Sequence, residues 1–362
     1  MFRFGEHIHY NLEVTIKMLK KILKSKIVTL CHTYNDYKRF SKYAATGFKS
    51  KSRENVRSKL MYYTHQIEKG LSRSNFRPNF GDAPILNLSK VMEEWLKLET
   101  DKQDIFFLNA LAVMKNYFLK HEILEIETDK KRFFSEQLLE LIMQESDFKL
   151  SSTIKVKKVD KDQNHQHNFH ELAMKRYSVR EYSTLPVDAN LLIEAIKIAQ
   201  KSPSVCNRQS ARIHIVENLK KIEEILEVQS GFKGYLPPNK LVIITSDIRT
   251  FLKGSERTQS YIDGGLFAMS LMYALEFLSL ASVPLSTMLS PKNEKKFREI
   301  AQIPEHENLI MVIAIGHFLE EVEVPTSLRN QVETITTYKN KSSRRVIHEE
   351  ENETIPKEKY LL

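Results

Sequence analysis

Between Leu12 and Leu30 the apolar positions Leu12, Ile16, Leu19, Leu23, Ile27 and Leu30 recur every three or four residues, the period of one helix face. Lys17, Lys20, Lys21, Lys24 and Lys26 occupy much of the remaining surface, so the predicted helix is amphipathic and basic. Tyr34, Tyr37, Phe40 and Tyr43 follow among lysines and arginines and are expected on a buried helix face. Arg57 to Gly70 reads as a helix stopped by its glycine, and helical patterns continue over Leu86–Leu98, Asp104–Ile126 and Phe133–Met143. Lys155–Asn168 is polar and charged, with no large hydrophobic residue, which marks a linker.

Beyond that stretch the pattern changes. Strands are predicted at Arg212–Val216, Lys240–Thr245 and Leu309–Ile315, with a short one near Leu285–Met288. Helices are predicted at Val187–Gln200, Leu219–Glu227, Tyr261–Ala281 and Glu294–Ala301. A helical region followed by mixed strands and helices is the signature of an α+β protein. The run Gly264–Val283 is long enough to span a bilayer, yet Glu276 inside it and Asp263 before it argue against lipid. A helix apolar on every side must then be covered on every side.

Composition sharpens this outline. At 362 residues and 41% hydrophobic, the chain can bury a sizeable core and is not a disordered protein. Its two cysteines, Cys31 and Cys206, are far apart and form neither a CxxC nor a zinc spacing, which points to a reducing cytoplasm. Lysines interrupt the first apolar stretch, so no signal peptide is expected. Residues 1–60 hold 14 Lys/Arg against 4 Asp/Glu, a net +10, while the whole chain carries +9. An anionic partner is therefore expected for the N-terminal part alone. Either its apolar stripe packs on the rest of the protein with the lysines solvated, or the helix lies on an anionic membrane surface or polymer. No nucleic-acid-binding motif accompanies the charge, so nucleic acid is not an expected partner. His165, His167 and His170 sit in the linker without a cysteine or acidic partner, and no metal site is expected.

The candidate chemistry lies between Met174 and Val216. Arg176 and Arg180 are four residues apart around Ser178, and each guanidinium can hold a phosphate by a planar fork. A polar turn, Ser202-Pro203-Ser204, is followed by Asn207, Arg208 and Gln209 and then by a β-branched run. Such a loop offers hydroxyls, amides and backbone N–H groups, suited to a flat heterocycle rich in donors and acceptors. The bland alternative is a surface arginine pair and an ordinary helix-to-strand loop. There is no GxGxxG and no Walker A among only 10 glycines. A dinucleotide clamped by a glycine-rich loop is thereby disfavoured against a monophosphate held by side chains, with Arg176, Arg180 and Arg329 as candidates.

Arg-x-Ser-x-Arg, a helix, then Ser-Pro-Ser-x-x-Asn-x-Gln running into a strand resembles the opening of the nitroreductase superfamily. The likeness continues through Gln229–Tyr235, Asp263-Gly264-Gly265 opening a long apolar helix, Pro284-Leu285-Ser286-Thr287, Ile313–Gly316 and Pro325–Arg329, covering Glu171 to Thr337. It implies an FMN-dependent oxidoreductase with a mainly antiparallel central sheet flanked by helices, built as an intertwined homodimer whose interface would cover the apolar helix. It further implies that Arg176, Tyr177, Ser178, Arg180 and Arg329 bind phosphate and ribityl. Pro203, Ser204 and Asn207 would contact the isoalloxazine of the opposite subunit. Lys233 would lie near the pyrimidine edge, and Ser286 and Thr287 near N5. The implied cycle is ping-pong, from NADH or NADPH through FMN to a small organic acceptor; no general acid is identified. Departures are Ser210-Ala211 after Gln209, where the family often has an aromatic residue, and Thr287 where a smaller residue is common.

The N-terminal half has a weaker likeness. His65, Glu68, Lys69 and Gly70, then Phe80-Gly81, resemble a segment of long nitroreductase-like proteins associated with polysaccharide biosynthesis genes. His65 and Glu68 share a helix face, where a structural hydrogen bond is the expected reading. The expected organisation is a basic helical extension over 1–150, a polar linker over 151–170, a flavin-binding domain over 171–337 and a charged tail over 338–362. Two rival functions remain: a flavin-binding module without turnover that docks on a membrane or anionic polymer through its basic end, and a flavin-consuming or dehydrogenase variant of the same fold.

Overall fold

The computed structural model describes residues 3–45, 52–98, 103–144 and 153–339, with only the backbone of residues 3–14. The tail expected over 338–362 falls outside the described residues from position 340 onward. The chain forms two compact units that interleave in sequence: one of residues 1–55, 155–168 and 176–322, the other of 56–154, 169–175 and 323–362.

The first unit is built on a four-stranded antiparallel sheet. Its strands are β2 (Ala211–Val216), β3 (Lys240–Asp247), β4 (Leu280–Ser286) and β5 (Glu307–His317), in the order β2-β3-β5-β4. A separate pair, β1 (Thr153–Lys157) with β6 (Glu321–Pro325), completes the strands. Side chains alternate across a strand, and both faces of β3 are apolar. Val242 and Ile244 pack with α7 (Ala189–Ala199) and α9 (Gln259–Phe277), while Leu241 and Ile243 pack with α8 (Leu219–Gln229) and α10 (Pro291–Ala301). Burial on both faces explains why β3 and β5 read as continuous hydrophobic runs. The expected α+β class with a mainly antiparallel sheet and a helical N-terminal region is what the chain adopts.

Two boundaries differ from the sequence pattern. The helix expected over Tyr261–Ala281 starts earlier, at Gln259, and stops at Phe277. Ser279 turns the chain with φ 57°, and Leu280 then begins β4, so the strand expected near Leu285–Met288 starts several residues sooner. Apolar residues that continued the helical run are recruited by pairing with β5, from Leu280 opposite His317 to Ser286 opposite Met311. Pro284 is tolerated because β4 is an edge strand.

The linker reading of Lys155–Asn168 is corrected as well. Lys161 and Asn164 are buried, and Lys161 Nζ lies 2.5 Å from Glu276 Oε1 on α9. Asn164 Nδ2 donates to the Glu276 backbone carbonyl at 2.8 Å, and the Ser279 hydroxyl donates to Lys161 O at 2.6 Å. Polar composition here serves a buried polar contact instead of a solvated tether.

α1 (Arg3–Tyr43) is one continuous helix of 41 residues, longer than the apolar row suggested. It meets its own unit through polar residues. Arg257 Nε donates to Asp36 Oδ2 at 3.0 Å, and a methyl group on Gly254 would collide with Thr29. Ile16, Leu19, Leu23, Ile27 and Leu30 are exposed, against the first of the two readings of the stripe, and so are Tyr34, Tyr37, Phe40 and Tyr43, against the expectation of a buried aromatic face. Leu12 lies outside the described side chains. No helix among the described residues is long and apolar enough to cross a membrane.

The second unit holds α2 (Arg53–Leu71), α3 (Asp82–Lys97), α4 (Ile105–Ile123), α5 (Glu136–Gln144), α6 (Phe169–Lys175) and α11 (Val332–Ile335), α2 entering it at Val56. Trp95, Phe107, Met114 and Tyr117 are fully or almost fully buried at its core. α4 is apolar on most sides and is fixed at its start by Asp104, whose Oδ1 accepts from Phe106 N at 3.0 Å. His65 Nδ1 lies 3.1 Å from Glu68 Oε2, and Asn109 Nδ2 donates to Glu68 Oε1 at 3.3 Å, a structural hydrogen-bonded pair as expected. Gly70 presses on the Phe80 ring with no room for a methyl group, and Gly81 takes φ 86° to start α3. The glycines of this stretch thus set helix packing. Gly70→Ala is expected to destabilise the protein by about 1–3 kcal/mol, and Phe80→Leu in that background to restore part of it. Equal denaturant midpoints for wild type and Gly70→Ala would refute the close contact.

Candidate functional site

The arginine segment lies beside the edge strand β4. Val179 N donates to Ser282 O at 3.0 Å, and Ser183 N donates to His317 O at 3.0 Å at the end of β5. Tyr182 anchors it: its hydroxyl donates to Val179 O at 2.7 Å, and its ring packs on Gly316, where a side chain would overlap it. Burial raises the Tyr182 phenol well above its usual range, so it stays a neutral donor. Arg176, Tyr177, Ser178 and Arg180 are half-buried on this segment, and Arg180 Nη1 donates to Ser178 O at 3.2 Å.

The loop after α8 comes to the same strand. Gln229 Nε2 donates to Ser286 O at 3.0 Å, and Gly231 N donates back to Gln229 Oε1 at 2.7 Å. Lys233 is exposed on that loop, Gly234 turns it with φ 84°, and Tyr235 joins Tyr182 on the α8–α10 side of the sheet. Ser286 is exposed, while Thr287 is buried with its hydroxyl donating to Ile310 O at 3.1 Å. The Arg176–Arg180 segment thus runs beside β4, Ser286 and Thr287 stand at its end, and the loop that carries Lys233 is tied to that end through Gln229.

The Ser-Pro-Ser loop lies elsewhere in the same unit. It leads into β2, at the opposite sheet edge, three strand spacings or about 14 Å from β4. Val205 N donates to Asp263 Oδ2 at 3.2 Å, and Ser202 Oγ donates to Ser270 Oγ at 2.7 Å, both on α9. Asp263 thus sits within α9, one turn after its start, and is not its opening residue. Pro203 and Asn207 are exposed and Ser204 half-buried. Ser202, Pro203, Ser204, Arg212, Asp263 and Phe267 line a cleft of about 350 Å³, within the size range of small-molecule sites.

The loop holds an unusual backbone. Cys206, Asn207 and Gln209 have φ of 49°, 53° and 49°, left-handed values without a glycine among them. Each costs on the order of 1–3 kcal/mol and persists only because the surroundings impose it. Arg208 forks onto Glu256, with Nη2 2.8 Å from Oε1, and its Nη1 donates to Thr250 O at 3.0 Å. The Arg208 guanidinium, with the N–H groups of Leu252 and Lys253, holds the Glu256 carboxyl down at about 2. The sequence marks Arg208 within the polar turn and Asp263 at the head of an apolar run without giving either a role, and it carries no signal for Glu256. Arg329 belongs to the second unit, where its guanidinium donates to Ser327 O and Arg57 Nη1 donates to Asn330 Oδ1 at 2.7 Å.

Residues 173–233 match the nitroreductase family model. The matched segment contains the arginine pair, the Ser-Pro-Ser loop and Lys233, and ends before Ser286, Thr287 and Arg329. No curated protein matches the chain. Similar solved structures include a nitroreductase family protein from Clostridium difficile, with 22% identity over 48% of this chain and 99% of that one and a TM-score of 0.41. A candidate NADH dehydrogenase/NAD(P)H nitroreductase from Parabacteroides distasonis has 19% identity over 47% and 97%, TM-score 0.41. A nitroreductase family protein from Clostridium novyi has 16% identity over 42% and 87%, TM-score 0.38.

At the other end of α9, Glu276 is buried against Lys161, with Arg176 in electrostatic reach. Burial pushes its carboxyl up, while Lys161, Arg176 and Asn164 pull it back. A buried pair that loses one partner leaves an uncompensated charge, so Lys161→Met is expected to cost about 3–5 kcal/mol near neutral pH. Without Lys161 the Glu276 pKa rises further, and stability from a raised carboxyl is present below the unfolded value and lost above it. The penalty should therefore shrink as pH falls toward the unfolded carboxyl value of about 4.3. Denaturation of wild type, Lys161→Met and Lys161→Met/Glu276→Gln across pH checks this; a penalty that grows on acidification would contradict it.

Proposed function

We propose that this chain is an FMN-dependent oxidoreductase that takes reducing equivalents from NADH or NADPH and passes them to a small organic acceptor, acting as a homodimer. The observation that carries the reading is the arrangement of Arg176–Arg180 and Ser286–Thr287 along one sheet edge, with the Lys233 loop tied to its end, within a chain whose residues 173–233 match the nitroreductase family. Two guanidiniums, an ammonium and several hydroxyls make a cationic, donor-rich set, and that chemistry fits a phosphate monoester and an electron-rich ring.

Bound FMN supplies the two-electron chemistry. Arg176, Tyr177, Ser178 and Arg180 would hold its phosphate and ribityl chain. Lys233 places positive charge at the pyrimidine edge, where negative charge accumulates on reduction. Ser286 and Thr287, at the end of β4, would supply the donors for the redox-active edge of the ring. Pro203, Ser204 and Asn207 lie at the far sheet edge of their own chain, which supports the idea that the partner subunit's Pro203, Ser204 and Asn207 complete each site. α9 supports it too, since Tyr261, Ile262 and Leu266 remain exposed on this apolar helix.

The full chain should purify as a yellow dimer that bleaches under anaerobic NADH or NADPH and recovers its colour when an acceptor is added. Arg180→Ala should weaken FMN binding by roughly tenfold or more, the equivalent of one charge-assisted contact, measured by flavin fluorescence during titration. A colourless protein that also refuses added FMN would sink the reading, and flavin destroyed during turnover would favour the flavin-consuming variant.

A further inference from the structure

We infer that α1 is an interfacial helix that seats the protein on an anionic phospholipid surface. The inference rests on which sides of the helix are occupied. Thr29 and Asp36, seven residues apart and so on one face, are its points of contact with Gly254 and Arg257 of the same unit. Taking 100° per residue, the row Ile16, Leu19, Leu23, Ile27, Leu30, Tyr34 and Tyr37 is centred about 130° away from that face. These side chains are 42–69% exposed and form the longest continuous apolar row of the helix; Met18, Ile22, Val28 and Phe40 are exposed singly on its other sides.

The cations are placed around this band. Lys20 and Lys38 run along one border, Lys26 lies on the other, and Lys24, Lys42, Lys17, Lys21 and Arg39 stand farther out beyond the first border. From Thr15 to Tyr43 the helix carries eight Lys/Arg and one acidic residue, Asp36, which is engaged by Arg257. Long basic side chains can extend beside an immersed apolar face and keep their charges among lipid phosphates. Tyrosines at one end of the band suit the interface, where an apolar ring carries a polar tip.

A second copy of the helix fits less well. Ile16, Leu23, Leu30 and Tyr37 recur at intervals of seven, but the positions three residues after each are Leu19, Lys26, Thr33 and Phe40. A coiled-coil seam needs both sets apolar; Lys26 and Thr33 interrupt this register, and the row stays apolar only by a four-residue stutter between Leu23 and Ile27. A broad band bordered by cations matches a flat anionic surface.

The test is co-sedimentation of the full chain with vesicles of phosphatidylglycerol and phosphatidylcholine, compared with phosphatidylcholine alone. Binding is expected only to the anionic vesicles and should weaken with added salt. Leu19→Glu/Leu23→Glu should abolish it, and Lys20→Gln/Lys24→Gln should weaken it at least about tenfold, both at exposed positions where far-UV circular dichroism should be unchanged. The chain has one tryptophan, Trp95, which is buried, so Leu23→Trp adds a reporter whose emission should shift to the blue on anionic vesicles. No binding to anionic vesicles would overturn the inference, as would binding indifferent to Leu19→Glu/Leu23→Glu. A smaller oligomer on Leu19→Glu/Leu23→Glu without lipid would also overturn it, because a second copy would then cover the row.

Discussion

Two buried carboxylates on one apolar helix govern the geometry of the strand-bearing unit. α9 is apolar on most sides, so each of its buried acids, Asp263 and Glu276, needs a hydrogen-bonding partner, and each takes at least one from another segment. Asp263 takes Val205 N and Gln259 Nε2, and Glu276 takes Lys161 and Asn164. The two residues stand about 20 Å apart along the helix axis. One therefore fixes the Ser-Pro-Ser loop at the N-terminal end of α9, and the other fixes a polar segment beside Arg176 at the C-terminal end. Leaving either carboxylate unpaired would cost more than any single apolar contact nearby contributes.

The same helix explains why the site segments separate. β4 returns antiparallel to β5 immediately after α9, and its edge position leaves room for residues 176–183. β2 is the other edge, and the Ser-Pro-Ser loop has to feed it. Sheet order alone thus parts the two halves of the donor set within one chain. A sheet with β2 and β4 adjacent would have brought the two segments together.

Much of this could be read from periodicity and residue type. The helices α7, α8 and α10 and the strands β2, β3 and β5 fall where alternation and helical spacing put them, because one or both faces are buried and burial selects the pattern. The segment Arg176–Arg180 stands out in the sequence by its paired guanidiniums, and the structure lays it beside β4. Other features left no such trace. The end of α9 is set by long-range pairing of Leu280–Ser286 with β5, which local propensity does not contain. Left-handed φ at Cys206, Asn207 and Gln209 occurs in a loop held by the Arg208–Glu256 fork and by Val205 N on Asp263, and no glycine marks it in the sequence. Lys161 and Asn164 sit in a stretch whose polarity reads as solvation, although here it answers a buried acid.

α1 shows the limit of the opposite inference, from apolar spacing to burial. Periodicity correctly marks a helix and an apolar side, but it says only that this side avoids water. Contact through Thr29 and Asp36 orients the helix by polar interactions, and that orientation turns the apolar row outward. Exposing so many large apolar side chains in water is costly, at about 25 cal/mol per Å², and nothing in the contact with residues 254–257 requires them to be apolar. Eight basic residues within the described part of the helix make self-association costly through like-charge repulsion, whereas an anionic surface lowers both the apolar and the electrostatic free energy at once.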